Sequence, residues 1–244
     1  MHMKDRDDKA FDVADASRDL SKATPHEIVR HALEGFGAEC AIAFSGSDDV
    51  VLLELASQTG LPFSVVVVDT GRLHAETYRF IEQVRAHYGI EIHLTTPEPT
   101  EVEALVRTKG LFSFLEDGHQ ECCQIRKVKP LRLALQGYRA WMTGQRKDQN
   151  FDTRADLEVV EADGGLAKFN PLANWSRELL WQFIRDHKLP YNELHRQGFS
   201  SIGCEPCTRP VLPGQHEREG RWWWEKEVAK ECGLHNTSAK RHSS

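Results

Sequence analysis

The chain has 244 residues, 40% of them apolar and 28% charged, enough to bury a sizeable core in one large domain, or in one domain with an appendage, without disulfides. Its net charge of −6 offers no general field for nucleic acid or anionic lipid, so any anion site must be local. Met1–Asp8 is charged and lacks an apolar stretch, and no apolar run approaches membrane-spanning length, so a cytoplasmic protein with no nucleic-acid or membrane partner is expected.

In chain order, residues 1–22 are polar and rich in Asp and Lys, and read as a flexible tail. Pro25 to Phe36 predicts a helix, with Thr24 as N-cap, proline in the first turn, and Ile28, Val29, Ala32, Leu33 and Phe36 at helical spacing. An alternation then begins. Cys40–Phe44, Phe63–Val68, Ile90–Thr95 and Arg139–Thr143 predict strands, and Val50–Thr59, Ala75–Tyr88, Glu98–Lys109 and Ile125–Gln136 predict helices. This pattern predicts an α/β fold, a mostly parallel sheet with helices on both faces. Ligands of such sheets sit at the carboxyl ends of strands, where the polar loops 45–49, 69–74 and 144–154 fall. Leu157–Val160 and Leu166–Phe169, around Asp163-Gly164-Gly165, predict a hairpin, and Ser176–His187 a helix with a serine cap. After this α/β domain of residues 23–209, prolines and glycines predict a mobile C-terminal arm over 210–244, with a short aromatic helix at Trp222–Lys230.

Six cysteines in a reducing compartment point to metal or catalysis before a disulfide framework. Cys122-Cys123 and Cys204-x-x-Cys207 are far apart in sequence, and folding must join them to make a four-thiolate site for zinc or an iron–sulfur cluster. Adjacent cysteines suit a larger object, since neighbouring thiolates reach different metal atoms; buried structural thiols are the alternative. Cys40, in the first strand, reads as core.

Ser45-Gly46-Ser47-Asp48-Asp49 lies between a buried strand and a helix, where glycine and the helix N-terminus favour a bound anion. It lacks the GK[ST] ending of a Walker loop, and an ordinary turn capped by Ser47 or Asp48 explains it as well; the aspartates are read as caps, not ligands. Arg126-Lys127, Arg146-Lys147, Arg154, Arg218 and Arg221 lie near strand ends or cysteines and are candidates for phosphate or sulfate oxygens. Cys232 is no core position and reads as a nucleophile. Gly233 would place it at a helix C-terminus, whose negative end disfavours a thiolate, so activation must come from His235 or from cations at a bound substrate. Trp222-Trp223-Trp224 is read as packing that docks the arm.

Together FSGSDDV (44–50), VDTGRLHAETY (68–78), ECCQIRKVKPL (121–131), WMTGQRKDQNFDTR (141–154), GCEPCTRP (203–210), GRWWWE (220–225) and KECGLH (230–235) resemble the bacterial, cluster-containing adenosine 5′-phosphosulfate reductases of assimilatory sulfate reduction. The resemblance implies a fold like the ATP-pyrophosphatase (adenine nucleotide alpha hydrolase) layer and a [4Fe–4S] cluster on Cys122, Cys123, Cys204 and Cys207. It implies Cys232 as nucleophile beside His235, and Lys127, Arg218 and Arg221 on the phosphosulfate. Ser45, Gly46 and Ser47 match the nucleotide loop, with Arg154 nearby. The implied reaction yields AMP and a Cys232 S-sulfonate, from which a thiol of thioredoxin releases sulfite. A reductase of the 3′-phosphorylated substrate, or of both, is the alternative; a nucleotide-binding cluster regulator is a third reading. Homo-oligomerisation is left open.

Overall fold

The computed structural model describes residues 11–225 together with Glu231 and Gly233. The elements in order are α1 (Val13–Leu20), α2 (Pro25–Phe36), β1 (Cys40–Ala43), α3 (Ser47–Thr59), β2 (Ser64–Val68), α4 (Ala75–Tyr88), β3 (His93–Thr95) and α5 (Pro99–Lys109). There follow α6 (Gln120–Cys123), a π-helical stretch (Gln124–Val128), α7 (Lys129–Leu135), β4 (Ala140–Met142), α8 (Phe151–Arg154), β5 (Val160–Asp163), β6 (Leu166–Phe169) and α9 (Arg177–Asp186).

The six strands form one sheet in the order β3-β2-β1-β4-β6-β5, with every neighbouring pair parallel except β5–β6. The chain builds outward from β1 in one direction through β2 and β3, then crosses to β4 on the other side. The carboxyl ends of β1 and β4 therefore flank a topological switch point, where the connecting loops part and leave a crevice.

The period-2 alternation of the strands separates two cores. Cys40, Ile42, Val65, Val67, Ala140, Met142 and Phe169 face one side and pack with α2, α3, α4 and α9. Ala41, Val66 and Trp141 face the other, with Val128, Leu131, Leu135, Cys207 and Trp222, and Cys122, Cys123 and Cys204 pack against this second core. The cysteine pairs thus share one side of the sheet, and Cys40 belongs to the other.

Four expectations are corrected. Residues 13–20 are not a loose tail: Asp12 caps α1 by accepting from the amides of Ala14 and Asp15, at 2.9 and 3.0 Å, and the helix buries Ala16 and Leu20. Phe11 packs on Phe36 and Phe169, with ring centroids 5.0 and 5.7 Å apart. The first hairpin strand lies at Val160–Asp163, three residues nearer the turn, because Gly164 and Gly165 both take positive φ (60° and 91°) and alone form the two-residue turn. The helix expected from Val50 starts at Ser47, with Gly46 as N-cap in place of Ser47 or Asp48. The helix expected over Ile125–Gln136 is π-helical in its first part: the Lys129 amide donates to the Gln124 carbonyl, five residues back. Pro130 gives the reason, since it has no N–H for the Arg126 carbonyl and its ring crowds that position.

Residues 210–225 are docked in this structure. Arg221 bridges to Thr208, the Arg209 amide donates to the Gly220 carbonyl (3.0 Å), and the Trp222 amide donates to the Cys207 carbonyl (3.1 Å). Trp222 to Trp224 form a turn, and the rest of the expected aromatic helix, 226–230, lies outside the described residues. No described helix is long and apolar enough to cross a membrane.

Candidate active site

A cavity of about 210 Å³ opens at the switch point. The loop after β1 forms one wall. Asp49, in the first turn of α3, is buried and gathers that loop: one carboxylate oxygen accepts from the Ser45 amide (2.8 Å), the Ser45 hydroxyl (2.9 Å) and the Gly46 amide (3.0 Å). The other oxygen accepts from the Gly144 amide at 3.0 Å, stitching the loops after β1 and β4 together. Burial pushes the Asp49 carboxyl above its ordinary value, against these four bonds, which favour the charged form. Glycine is required at 144, because a Cβ there would lie 2.6 Å from the Asp48 Cβ and 2.9 Å from its carbonyl carbon. The expectation that Asp49 caps is met, and it absorbs loop donors that a bound anion would otherwise use.

Arg146, also buried, is fully answered. It pairs with Asp48, with Asp148 at 2.9 Å and with Glu217 at 3.2 Å, locking loop 144–149 to the start of α3 and to the C-terminal arm. Lys147 donates to Asn174 at 3.0 Å.

The opposite wall carries sulfur. Cys122, Cys123, Cys204 and Cys207 all line the cavity, and no described cysteine is in a disulfide. The Cys204 pair is held to the loop after β2 by a short bridge between Leu73 and Cys204, by the Glu205 amide on the Arg72 carbonyl (2.8 Å), and by Thr70 Oγ1 within 3.2 Å of Cys204 Sγ, and Arg126, just past Cys123, reaches the same loop. Burial, then Cys204, pushes the Cys207 thiol up to about 12; burial also raises Cys122, against the pull of Arg72 and Arg126. Among the described residues no three His, Cys, Asp or Glu side chains close on a single-ion site.

Around the sulfur stand cations of a different kind from Arg146. Arg126 donates to the Thr70 carbonyl at 2.9 Å, Arg72 lies over the rings of Phe112 and Phe114, and Arg221 lies over Trp222 at 4.5 Å. None of these three, nor Lys127, has a carboxylate partner among the described residues. Arg72 Nη1, Arg126 Nε, Arg221 Nε and Trp222 Nε1 are buried donors without an acceptor among the described residues. Gly203 lets the Arg221 guanidinium lie close against the main chain, in the space a Cβ would take.

Arg154 and Arg218 also line the cavity, but they hold Glu231. Arg154 donates from Nε and Nη2 to its two carboxylate oxygens, both at 2.9 Å; Arg218 Nη2 adds a bond of 3.3 Å and Thr153 Oγ1 one of 3.2 Å. Burial alone would raise the Glu231 carboxyl, and Arg218 and Arg154 more than reverse this, leaving it lowered. The Glu231 carbonyl is within 2.9 Å of His119 Nε2, and the other ring nitrogen of His119 meets both carboxylate oxygens of Glu225 at 2.8 Å. His119 is buried and stacks on Trp222, whose φ of 42° is a left-handed value rarely taken by a bulky residue.

The structure therefore brings Ser45, Gly46, Ser47, Arg154, Arg218 and Arg221 into one cavity with Lys127 and the four cysteines. Cys232 and His235 lie outside the described residues. Sequence reasoning passed over Arg72, His119 and Glu231, although Arg72 and Glu231 both sit inside segments that carried the resemblance.

A family model, phosphoadenosine phosphosulfate reductase domain, matches residues 39–210. The chain belongs to this reductase family. The adenosine 5′-phosphosulfate reductase of Pseudomonas aeruginosa (strain LESB58) is 54% identical, over 92% of this chain and 87% of that one. The chloroplastic 5′-adenylylsulfate reductase 3 of Arabidopsis thaliana is 55% identical over 96% of this chain and 53% of its own, so the chain spans about half the length of the curated plant relatives it matches. Among solved structures, the phosphoadenylyl-sulfate reductase of Candida auris in complex with phosphate superposes with a TM-score of 0.68 at 28% identity, over 82% of this chain and 96% of that one. The reductase family's α/β architecture is the one described above, and the family match covers the β1 loop and both cysteine pairs.

Proposed function

We propose that the protein is a cytoplasmic adenylyl-sulfate reductase that converts adenosine 5′-phosphosulfate to sulfite and AMP in assimilatory sulfate reduction, with thioredoxin as reductant. One observation carries this reading. Four cations without carboxylate partners among the described residues meet four thiols that form no disulfide, in a single cavity beside a nucleotide-type loop. In a chain of net charge −6 that concentration of unanswered positive charge calls for anionic ligands.

The residues fit a [4Fe–4S] cluster held by Cys122, Cys123, Cys204 and Cys207. The donor set is all thiol, and the orphaned N–H groups of Arg72, Arg126 and Trp222 lie on the same wall, suited to the sulfurs of an anionic thiolate centre. Such a cluster would supply a fixed, negatively charged iron–sulfide body to the cavity that Lys127 also lines; the two electrons of the reaction come from thiols.

In the first step the Cys232 thiolate attacks the sulfate sulfur. A sulfur–sulfur bond forms, the bond to the bridging oxygen breaks, and AMP departs with the electron pair. Lys127 and Arg221, which line the cavity, are the groups assigned to stabilise that charge. In the second step a thioredoxin thiolate attacks the Cys232 sulfur. Sulfite leaves with the bonding pair, a mixed disulfide forms, and the second thioredoxin thiol resolves it, so that one dithiol is oxidised to a disulfide for each sulfite released.

The test is single-turnover trapping with sulfur-labelled adenosine 5′-phosphosulfate on anaerobically purified, iron-loaded protein without thioredoxin. The expected result is a sulfonate on Cys232 with one equivalent of AMP released. A labelled adduct formed only from the 3′-phosphorylated substrate would change the substrate assignment, and no adduct from either would sink the reading.

A further inference from the structure

Glu231 sets this cavity a physical problem. A site lined by cations and read as an anion site buries one of the chain's own carboxylates, whose side chain is only 8% exposed. Carboxylates are almost never this buried unless paired, and here the pairing is unusually complete. Three side chains from two parts of the chain converge on it: Arg154 and Thr153 from α8 and Arg218 from the arm. The main chain is held too, because the Glu231 carbonyl meets His119, the residue just before α6 and its cysteine pair.

Two roles are open to such a group. It could be a placeholder that keeps an anion site occupied until substrate displaces it, or a clamp that stays in place. A placeholder needs side-chain contacts only, and it must stand on cations that the substrate requires. Glu231 is tied at both side chain and backbone. Moreover Arg72, Arg126, Lys127 and Arg221 remain without carboxylate partners among the described residues, so an incoming phosphosulfate finds cations without evicting it. We infer that Glu231 is a positioning residue: the grip of Arg154, Arg218 and Thr153 on its carboxylate, with His119 on its carbonyl, fixes the main chain immediately before Cys232 in sequence and so readies that cysteine for the reaction. Arg154 and Arg218 then serve the arm before they serve the substrate. The inference rests on Cys232 being the nucleophile.

The experiment compares the iron-loaded full chain with its Glu231→Gln, Glu231→Asp and Thr153→Val variants, after melting temperature and iron content are shown to match. Two quantities are read: the alkylation rate of Cys232 by iodoacetamide without substrate, and the concentration dependence of single-turnover sulfonate formation. Glu231→Gln keeps the shape and removes the charge. Its maximal rate is expected to fall about 10- to 100-fold, the loss expected for charge-assisted hydrogen bonds, with the half-saturating concentration within about threefold of the parent. Cys232 should be alkylated several-fold faster. Glu231→Asp should recover part of the rate, and Thr153→Val should shift both readouts in the same direction by less; it decides the matter if Glu231→Gln does not fold. An unchanged maximal rate in Glu231→Gln overturns the clamp. So does an unchanged rate with a tenfold lower half-saturating concentration, the signature of a placeholder. If the parent protein forms no sulfonate, the nucleophile reading fails on its own, and the alkylation rates still test the clamp.

Discussion

Arg146 and Arg126 are both buried guanidinium groups beside the carboxyl ends of strands, and they differ in what answers their charge. Arg146 meets Asp48, Asp148 and Glu217. Arg126 meets a carbonyl oxygen, has one donor without an acceptor among the described residues, and is pulled below its ordinary pKa first by burial and then by Arg72. The first arrangement is closed and holds loops together. The second is open: burying charge without a partner is expensive, and it persists where a ligand completes it. Distance from the cavity does not separate the two, since both side chains line it. Charge pairing does.

The comparison is broken most directly at Arg146. Arg146→Met should destabilise the fold by about 3–5 kcal/mol in denaturant titrations, because it strands three carboxylates around a buried site. A loss below about 1 kcal/mol would mean that loop 144–149 does not depend on this hub. Lys127→Met should do the opposite: leave the melting temperature in place while single-turnover sulfonate formation falls about 10²- to 10³-fold, roughly 2.7–4 kcal/mol of transition-state stabilisation. Equal rates for Lys127→Met and parent would remove Lys127 from the site.

This contrast explains how far the sequence could be read. The strand–helix alternation, the switch-point loops and the convergence of both cysteine pairs on one wall were legible, because each rests on local patterning or on a small set of topologies. Pairing was not. Nothing local told Arg146 from Arg126, since each is an arginine followed by lysine; the acids that distinguish them come from α3, from Asp148 and from Glu217 in the arm. Glu231 was hidden likewise, its partners being remote in sequence. At the N-terminus composition misled: polar residues dominate 1–22, yet Asp12 supplies a cap and Ala16 and Leu20, four residues apart, make a narrow apolar stripe. Leu20→Ala should therefore cost about 2 kcal/mol in thermal or chemical unfolding, near the low end for a truncated core leucine. A cost near zero would restore the loose tail.

A milder probe of the open side is pH. The Glu231 carboxyl is lowered in the folded state by Arg218 and Arg154, which outweigh its burial. A carboxyl with a depressed folded pKa contributes stability that is fully present above its unfolded value, about 4.3, and is lost as pH falls through the lower folded one. The gap in Cys232 alkylation between parent and Glu231→Gln, each corrected for thiol ionisation, should hold within about threefold from pH 5.5 to 8. A gap that closed already at pH 6 would show that Glu231 is not held as an ion by the two arginines.

The smallest effect is expected at Cys40, and its smallness is informative. Cys40 is a free thiol fully buried in β1, and burial raises its pKa far above the ordinary thiol range. Counting cysteines alone, it could be a fifth member of the sulfur site. The pleat forbids this: Cys40 and Ile42 point into the core under α2 and α3, while Ala41, between them, faces the side where the other four thiols pack. Cys40→Ala should cost about 1 kcal/mol of stability, the common size for a small core truncation, and leave iron per chain and single-turnover rate unaltered. A change in iron content with the fold intact would mean that the two faces of the sheet communicate through β1, and the separation of structural from ligand-holding groups would have to be redrawn there.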